Sequence, residues 1–237
     1  MFLQERIISR DIHIFDTDAG AVLELLSSEE GVDYAVREST GEVTVRLYDT
    51  DDGSLVRVTD RLYAAFGRRV YGTDTGSLQE AVVRELKRRG LKLAAAESLT
   101  GGLVTKRITE VPGASDVIEC GVCSYSNRIK HELLGVSRET LDKYTEYSRE
   151  TAREMAAGVR RLAGADIGVS TTGVAGPGPD GDKPAGSVYV GVCAENYNME
   201  YELQLSGGGS NGRAVIRELS ASHALFAVLE YLSRFSP

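Results

Sequence analysis

The stretch Leu93-Ala-Ala-Ala-Glu-Ser-Leu-Thr-Gly-Gly102 constrains this chain more than any other: a short apolar run, a polar corner, then paired glycines. That order predicts a buried strand feeding a helix, the elementary step of an α/β sheet. Open sheets of this kind keep their ligands beyond the carboxyl ends of the strands, which places Glu97, Ser98 and Thr100 at the binding edge. The helix beginning near Gly101 aims unpaired backbone N–H groups at the corner and favours negative charge there. Ser98 and Thr100 are then candidates for a nucleophile or for a helix cap, and other stretches must decide between them.

The chain before this corner reads differently. Ile12 and Ile14 alternate as in a strand, Val22, Leu25 and Leu26 follow helical spacing, and two further alternating runs flank Ser39-Thr40-Gly41 as a hairpin. Asp49 to Gly53 reads as a polar loop, and Leu55, Val58, Leu62 and Phe66 form one helical stripe that stops at Gly67. The order strand, helix, strand, strand, helix predicts a small α+β domain over residues 1–75, with the linker at Gly72-Thr-Asp-Thr-Gly76. Ser77 and Glu80 then make a capping box, and Lys87, Arg88, Arg89 and Gly90 close that helix.

Residues 76–237 are expected to form a three-layer α/β/α domain. Val117 to Tyr125 reads as a strand, Asn127 to Leu134 as a helix, and Ser137 and Ser148 as caps of two more. Ala152, Met155, Ala156, Val159 and Leu162 share one face. Asp166 to Thr171 is a buried strand leading into the glycine-rich loop Gly173 to Pro184. Ser187 to Ala194 and Glu200 to Leu205 pair around a loop at 196–198, and a closing helix from Arg213 to Arg234 buries Val215, Leu219, Phe226 and Leu229.

Several function classes fall away. Three cysteines are too few for a disulfide framework, and Cys120 and Cys123, on one strand with no second pair, read as buried structural residues rather than zinc ligands. His13, His131 and His223 show no metal-ligand spacing, so no metal and no cofactor are expected. No apolar run suits a membrane span, and Glu5, Arg6, Arg10 and Asp11 do not suit a signal peptide, so the expected location is cytoplasmic, away from membranes. Residues 1–75 hold fifteen Asp or Glu against eight Arg and no Lys, a balance of −7 within a total of −8. That balance opposes nucleic-acid binding.

Small polar residues gather at three strand ends: Ala96-Glu-Ser-Leu-Thr-Gly-Gly102, Tyr125-Ser-Asn-Arg-Ile-Lys130, and Thr172-Gly-Val-Ala-Gly-Pro177 with Lys183-Pro-Ala-Gly186. A fourth element, Asn211-Gly-Arg-Ala-Val-Ile-Arg217, follows later. Together and in this order they resemble the C-terminal domain of the CinA (competence/damage-inducible) family, also found as the stand-alone nicotinamide-mononucleotide deamidase. Leu99 stands where the family commonly has Cys, and Asn211-Gly212 where it has Gly-Asp. Residues 1–75 resemble, more loosely, the family's KH-like middle domain, and no counterpart of its N-terminal molybdopterin-binding-like domain is expected. That first domain contains no G-x-x-G clamp, so an accessory or homo-oligomerisation role is expected of it.

The resemblance implies metal-free hydrolysis of the carboxamide of nicotinamide mononucleotide, with Ser98 as nucleophile, Lys130 as base, and Tyr125 and Thr172 in the catalytic group. The residues permit this on their own terms, since the stretches Ala96–Gly102, Tyr125–Lys130 and Thr172–Pro177 contain no histidine and Lys130 is the one lysine among them. Such a lysine needs burial and no carboxylate beside it, so Glu97 is expected to face away. Backbone N–H groups from Leu99 to Gly102 are the first choice for an oxyanion site. Thr100, Gly101, Gly102, Asn127, Gly173, Ala175, Gly176, Arg213 and Arg217 are expected to bind the nucleotide substrate, the loop and arginines taking its phosphate. The alternatives are a non-catalytic nucleotide-binding or damage-response module, and an amidohydrolase for another amide.

Overall fold

The first sheet is closed by a strand that the sequence pattern does not announce. In the computed structural model, which describes residues 7–208 and 211–235, the chain divides into two compact units, Met1–Ala81 and Val82–Pro237. Glu5 and Arg6 lie outside the described residues. The first unit runs β1 (Ile8–Phe15), α1 (Ala19–Leu26), β2 (Asp33–Ser39), β3 (Glu42–Asp49), α2 (Asp52–Phe66) and β4 (Val70–Thr73), with an antiparallel sheet in the order β2-β3-β1-β4. Ile12, Ile14, Val43, Val45 and Leu47 point one way and bury against Val22, Leu26, Leu55, Val58 and Leu62 of the two helices. Strand β4 corrects the expected linker: Gly72 and Thr73 pair with His13 and Ile12 of β1. Four residues are too few for alternation to declare itself.

The capping box forms as expected, with Ser77 N–H donating to Glu80 at 2.7 Å and Glu80 N–H to Ser77 Oγ at 3.4 Å. It opens α3 (Leu78–Arg89). The second unit continues with β5 (Leu93–Glu97), α4 (Leu103–Thr109), β6 (Ile118–Cys123), α5 (Asn127–Leu134), α6 (Arg138–Tyr144), α7 (Arg149–Ala163), β7 (Ile167–Gly173), β8 (Ser187–Ala194), β9 (Tyr197–Gln204) and α8 (Gly212–Arg234). Its sheet order is β6-β5-β7-β8-β9, with β6, β5 and β7 parallel and the last two antiparallel.

From β5 the chain crosses to β6 in one direction and returns past β5 to β7 in the other. Right-handed crossovers therefore put α4 on one face and α5 to α7 on the opposite face. Met155 and Val159 of α7 pack with Leu134 on Ala94 and Ala96 of β5. On that face β7 and β8 keep Gly168 and Gly191, where an added Cβ would stand 2.1 Å from Ala156 O and 2.6 Å from Ala152 O. Helices α4 and α8 pack together on the other side, giving three layers.

Three expected side-chain placements are corrected. Leu162 is exposed, one helical step beyond the buried stripe of α7. In α8 the buried face is Ile216, Ser220, Ala224, Leu225 and Val228, while Val215, Leu219, Phe226 and Leu229 are half-buried, because the buried face mixes small residues with large ones and the expected stripe runs along its flank. Cys123 is exposed and Cys120 half-buried, since β6 is an edge strand. Strand β9 starts at Tyr197, so the β8–β9 connection is tighter than the sequence suggests. No described helix is long and apolar enough to cross a membrane.

Candidate active site

Three parallel strands deliver their carboxyl ends to one edge, and the chain corners there carry the polar motifs. Ser98 N–H bonds to Thr171 O at 2.9 Å, and Ser124 N–H to Glu97 O at 2.8 Å, so the sheet ladder holds the corner after β5 on both sides. Beyond β6, Ser126 caps α5 by accepting from Ile129 N–H at 3.3 Å. Lys130 lies one turn into that helix, and helical side chains lean toward the N-terminus. Its Nζ accordingly reaches back to Tyr125 O at 3.3 Å and to Ser98 Oγ at 3.1 Å.

Lys130 is 1% exposed. Burial pulls its pKa down from 10.5 to about 8, against the opposing charge of Glu146. The expectation of no neighbouring carboxylate is thus corrected. Glu146 keeps the amine more basic than burial alone would, and about a tenth of it is neutral at pH 7. Glu97 is not the neighbour concerned. Its buried carboxylate faces the start of α4, accepting from the N–H groups of Gly102, Val104 and Thr105 at 2.9, 3.0 and 2.9 Å and from Thr105 Oγ1 at 2.7 Å. A helix start is where a carboxylate is best held.

This arrangement narrows the expected oxyanion donors. Gly102 N–H is occupied by Glu97, whereas those of Leu99, Thr100 and Gly101 meet no protein acceptor among the described residues. Arg217 fixes the same turn from outside, donating through Nε to Leu99 O at 2.9 Å and through Nη2 to Thr100 O at 2.7 Å. In a trans peptide the N–H points opposite the C=O, so Arg217 turns the N–H groups of Thr100 and Gly101 away from itself.

A cavity of about 320 Å³ opens over Ser98 and Lys130. Of the residues expected to bind substrate, Gly173, Ala175, Gly176 and Arg213 line it, together with Tyr125. Gly173 is required there: its φ is +150° and an added Cβ would stand 2.3 Å from Ser187 O. Arg213 donates to Gly176 O at 2.6 Å and lies 3.4 Å from the Tyr125 hydroxyl. Thr100, Gly101, Gly102, Asn127, Thr172 and Arg217 are not in the lining and act from behind it. The Thr100 hydroxyl is spent on Thr171 Oγ1 at 2.7 Å, Thr172 Oγ1 on Glu146 O at 2.6 Å, and Asn127 Nδ2 on Glu146 Oε2 at 3.1 Å. The side chain of Tyr125 is largely exposed at the rim, so its carbonyl and not its hydroxyl meets Lys130.

Sequence reasoning did not single out Glu146, Tyr147 or Asp180, all of which line the cavity. The Tyr147 hydroxyl donates to Asp180 Oδ2 at 2.6 Å and ties the α6–α7 connection to the glycine-rich loop. For Glu146 and Tyr147 the signal was position, the two residues directly before the cap Ser148, where the chain returns to the sheet edge. Among the described residues no cluster of three or more His, Cys, Asp or Glu is placed for a metal ion.

A family model, the CinA C-terminal domain, matches residues 75–232. The chain belongs to the CinA family. A provisionally named competence-damage inducible protein of Caldanaerobacter subterraneus is 40% identical over 240 residues, covering 98% of this chain and 57% of its own length. The chain thus spans little more than half the length of the curated CinA relatives it matches. The structure is similar to competence/damage inducible protein CihA of Agrobacterium tumefaciens (35% identity, TM-score 0.61, 66% of this chain and 93% of that one). It is also similar to a CinA superfamily protein of Klebsiella pneumoniae (30%, 0.63, 68% and 99%).

Proposed function

We propose that the chain hydrolyses the carboxamide of nicotinamide mononucleotide to nicotinate mononucleotide and ammonia through a Ser98–Lys130 pair. The observation that carries this reading is the buried Lys130 amine 3.1 Å from Ser98 Oγ at the floor of a cavity. Neutral Lys130 accepts the Ser98 proton as Oγ attacks the amide carbon. The N–H of Leu99, which lines the cavity and meets no protein acceptor among the described residues, receives the developing oxyanion in the turn that Arg217 holds. Lys130 returns its proton to the departing ammonia, and the resulting ester is cleaved by a water that Lys130 deprotonates in turn. Arg213 and the N–H groups of the Gly173–Asp180 loop bind the phosphate.

Ammonia release from nicotinamide mononucleotide, compared with nicotinamide, its riboside and glutamine, tests this reading. Turnover of the mononucleotide alone, lost in Ser98→Ala, supports it. Binding without ammonia release would favour a nucleotide-binding module, and faster turnover of another amide would reassign the substrate.

A further inference from the structure

Glu146 is the feature of the cavity that the Ser98–Lys130 chemistry does not explain. It opposes the deprotonation Lys130 needs, and yet it is held in place by three elements. Its backbone carbonyl accepts from Thr172 at the end of β7, its Oε2 accepts from Asn127 at the start of α5, and Tyr147 beside it is tied to the loop at Asp180. Asp180, the other carboxylate of the lining, already receives the Tyr147 hydroxyl. Glu146 Oε1 accepts from no described residue. A carboxylate positioned this firmly, with one oxygen unused, stands ready for a cation from the cavity side.

Resting on the reading above, we infer that Glu146 is a specificity-determining residue whose carboxylate receives the cationic ring of an N-substituted pyridinium carboxamide and discriminates against neutral-ring amides of the same shape. The pyridinium charge of such a substrate lies in the ring that bears the amide, so a ring seated with its carboxamide at Ser98 brings positive charge into the same small cavity as Glu146. The ligand's charge then offsets the carboxylate's pull on the Lys130 proton while the substrate is bound. A neutral ring leaves that pull in place.

The test is calorimetric binding to Ser98→Ala, which leaves ligand unreacted, and to Ser98→Ala/Glu146→Gln. The two ligands are nicotinamide mononucleotide and its reduced dihydro form, which keeps the carboxamide, ribose and phosphate but has no ring charge. Glutamine preserves the shape of Glu146, the Asn127 partner and the Thr172 bond. The expected result is a preference of about tenfold or more for the cationic ligand in Ser98→Ala, as for a partly exposed ion pair, reduced to about twofold in the double variant through weaker binding of the cation alone. A preference that survives Glu146→Gln, an equal loss for both ligands, or no binding of either would overturn the assignment. Ammonia release by the chain with Ser98 intact separates the two readings. Its absence alongside a Glu146-dependent preference would defeat the reaction and keep the cation subsite, and its presence without that preference would do the reverse.

Discussion

Replacing Lys130 with methionine should abolish activity and stabilise the fold, by an amount that depends on pH. A lysine of pKa 10.5 in the unfolded chain and about 8 in the fold costs ~3 kcal/mol of stability at pH 7 and ~1.4 kcal/mol at pH 9.5. The sign follows from proton binding. Between pH 8 and 10.5 the unfolded chain holds the proton that the fold has lost, so stability rises with pH through that window. Below pH 8 both states are charged and the cost is constant. Lys130→Met removes the charge and also leaves Tyr125 O without its donor, but that loss does not vary with pH. The stability gap between variant and parent should therefore shift toward the parent by ~2 kcal/mol from pH 7 to pH 9.5. Urea unfolding read by hydrogen exchange in β5 and β7 peptides isolates this unit from the first. A gap that does not change with pH would show that Lys130 has an ordinary pKa and would refute the reasoning.

Four further outcomes are expected. Glu146→Gln should move the alkaline-rising limb of kcat/KM below pH 8, since Glu146 raises the Lys130 pKa, and an unmoved or higher limb in the pH–rate profile would contradict that assignment. Arg217→Lys should lower kcat by about 10-fold or more with little change in KM, because one ammonium cannot hold both Leu99 O and Thr100 O, whereas a pure KM effect would place Arg217 on the substrate. Glu97→Ala should destabilise the second unit by ~3 kcal/mol in the same exchange assay by unpairing the start of α4, and an unchanged midpoint would mean that water replaces the cap. Residues 1–75 carry a balance of −7 and no lysine, so the full chain should show no salt-sensitive RNA binding in filter assays, and removing them should alter oligomeric state while ammonia release persists.

Much of the fold was legible because local chemistry and tertiary role agree. The Ser77–Glu80 box, the caps at Ser137 and Ser148, and the buried run of β5 each state their element in a few residues. Strand β4 was not legible, because its four residues become a strand only by pairing with β1. The inner face of α8 was misjudged for a related reason. Its buried face includes Ser220, Ala221, Ser222, Ala224 and Ala227 beside Ile216, Leu225 and Val228, and a pattern weighted toward large apolar residues passes over the small ones. At the candidate site Ser98 and Lys130 stand out as a hydroxyl at the end of one strand and a base one turn into the helix that follows its neighbour. The division between cavity wall and support did not: Thr100, Thr172 and Asn127 carry polar groups that look ready for a ligand and are spent inside the protein. Glu146 entered through a connection between helices, whose path only the assembled sheet edge determines.

The most direct measurement of the central claim is single-turnover ammonia release from nicotinamide mononucleotide by the parent chain, Ser98→Ala, Lys130→Ala and the double variant, with and without chelator. A Ser98–Lys130 unit predicts turnover that chelator leaves unchanged, severe loss in each single variant, and a double variant scarcely worse than either. Ammonia release that persists in Ser98→Ala, or losses that multiply in the double variant, would contradict it.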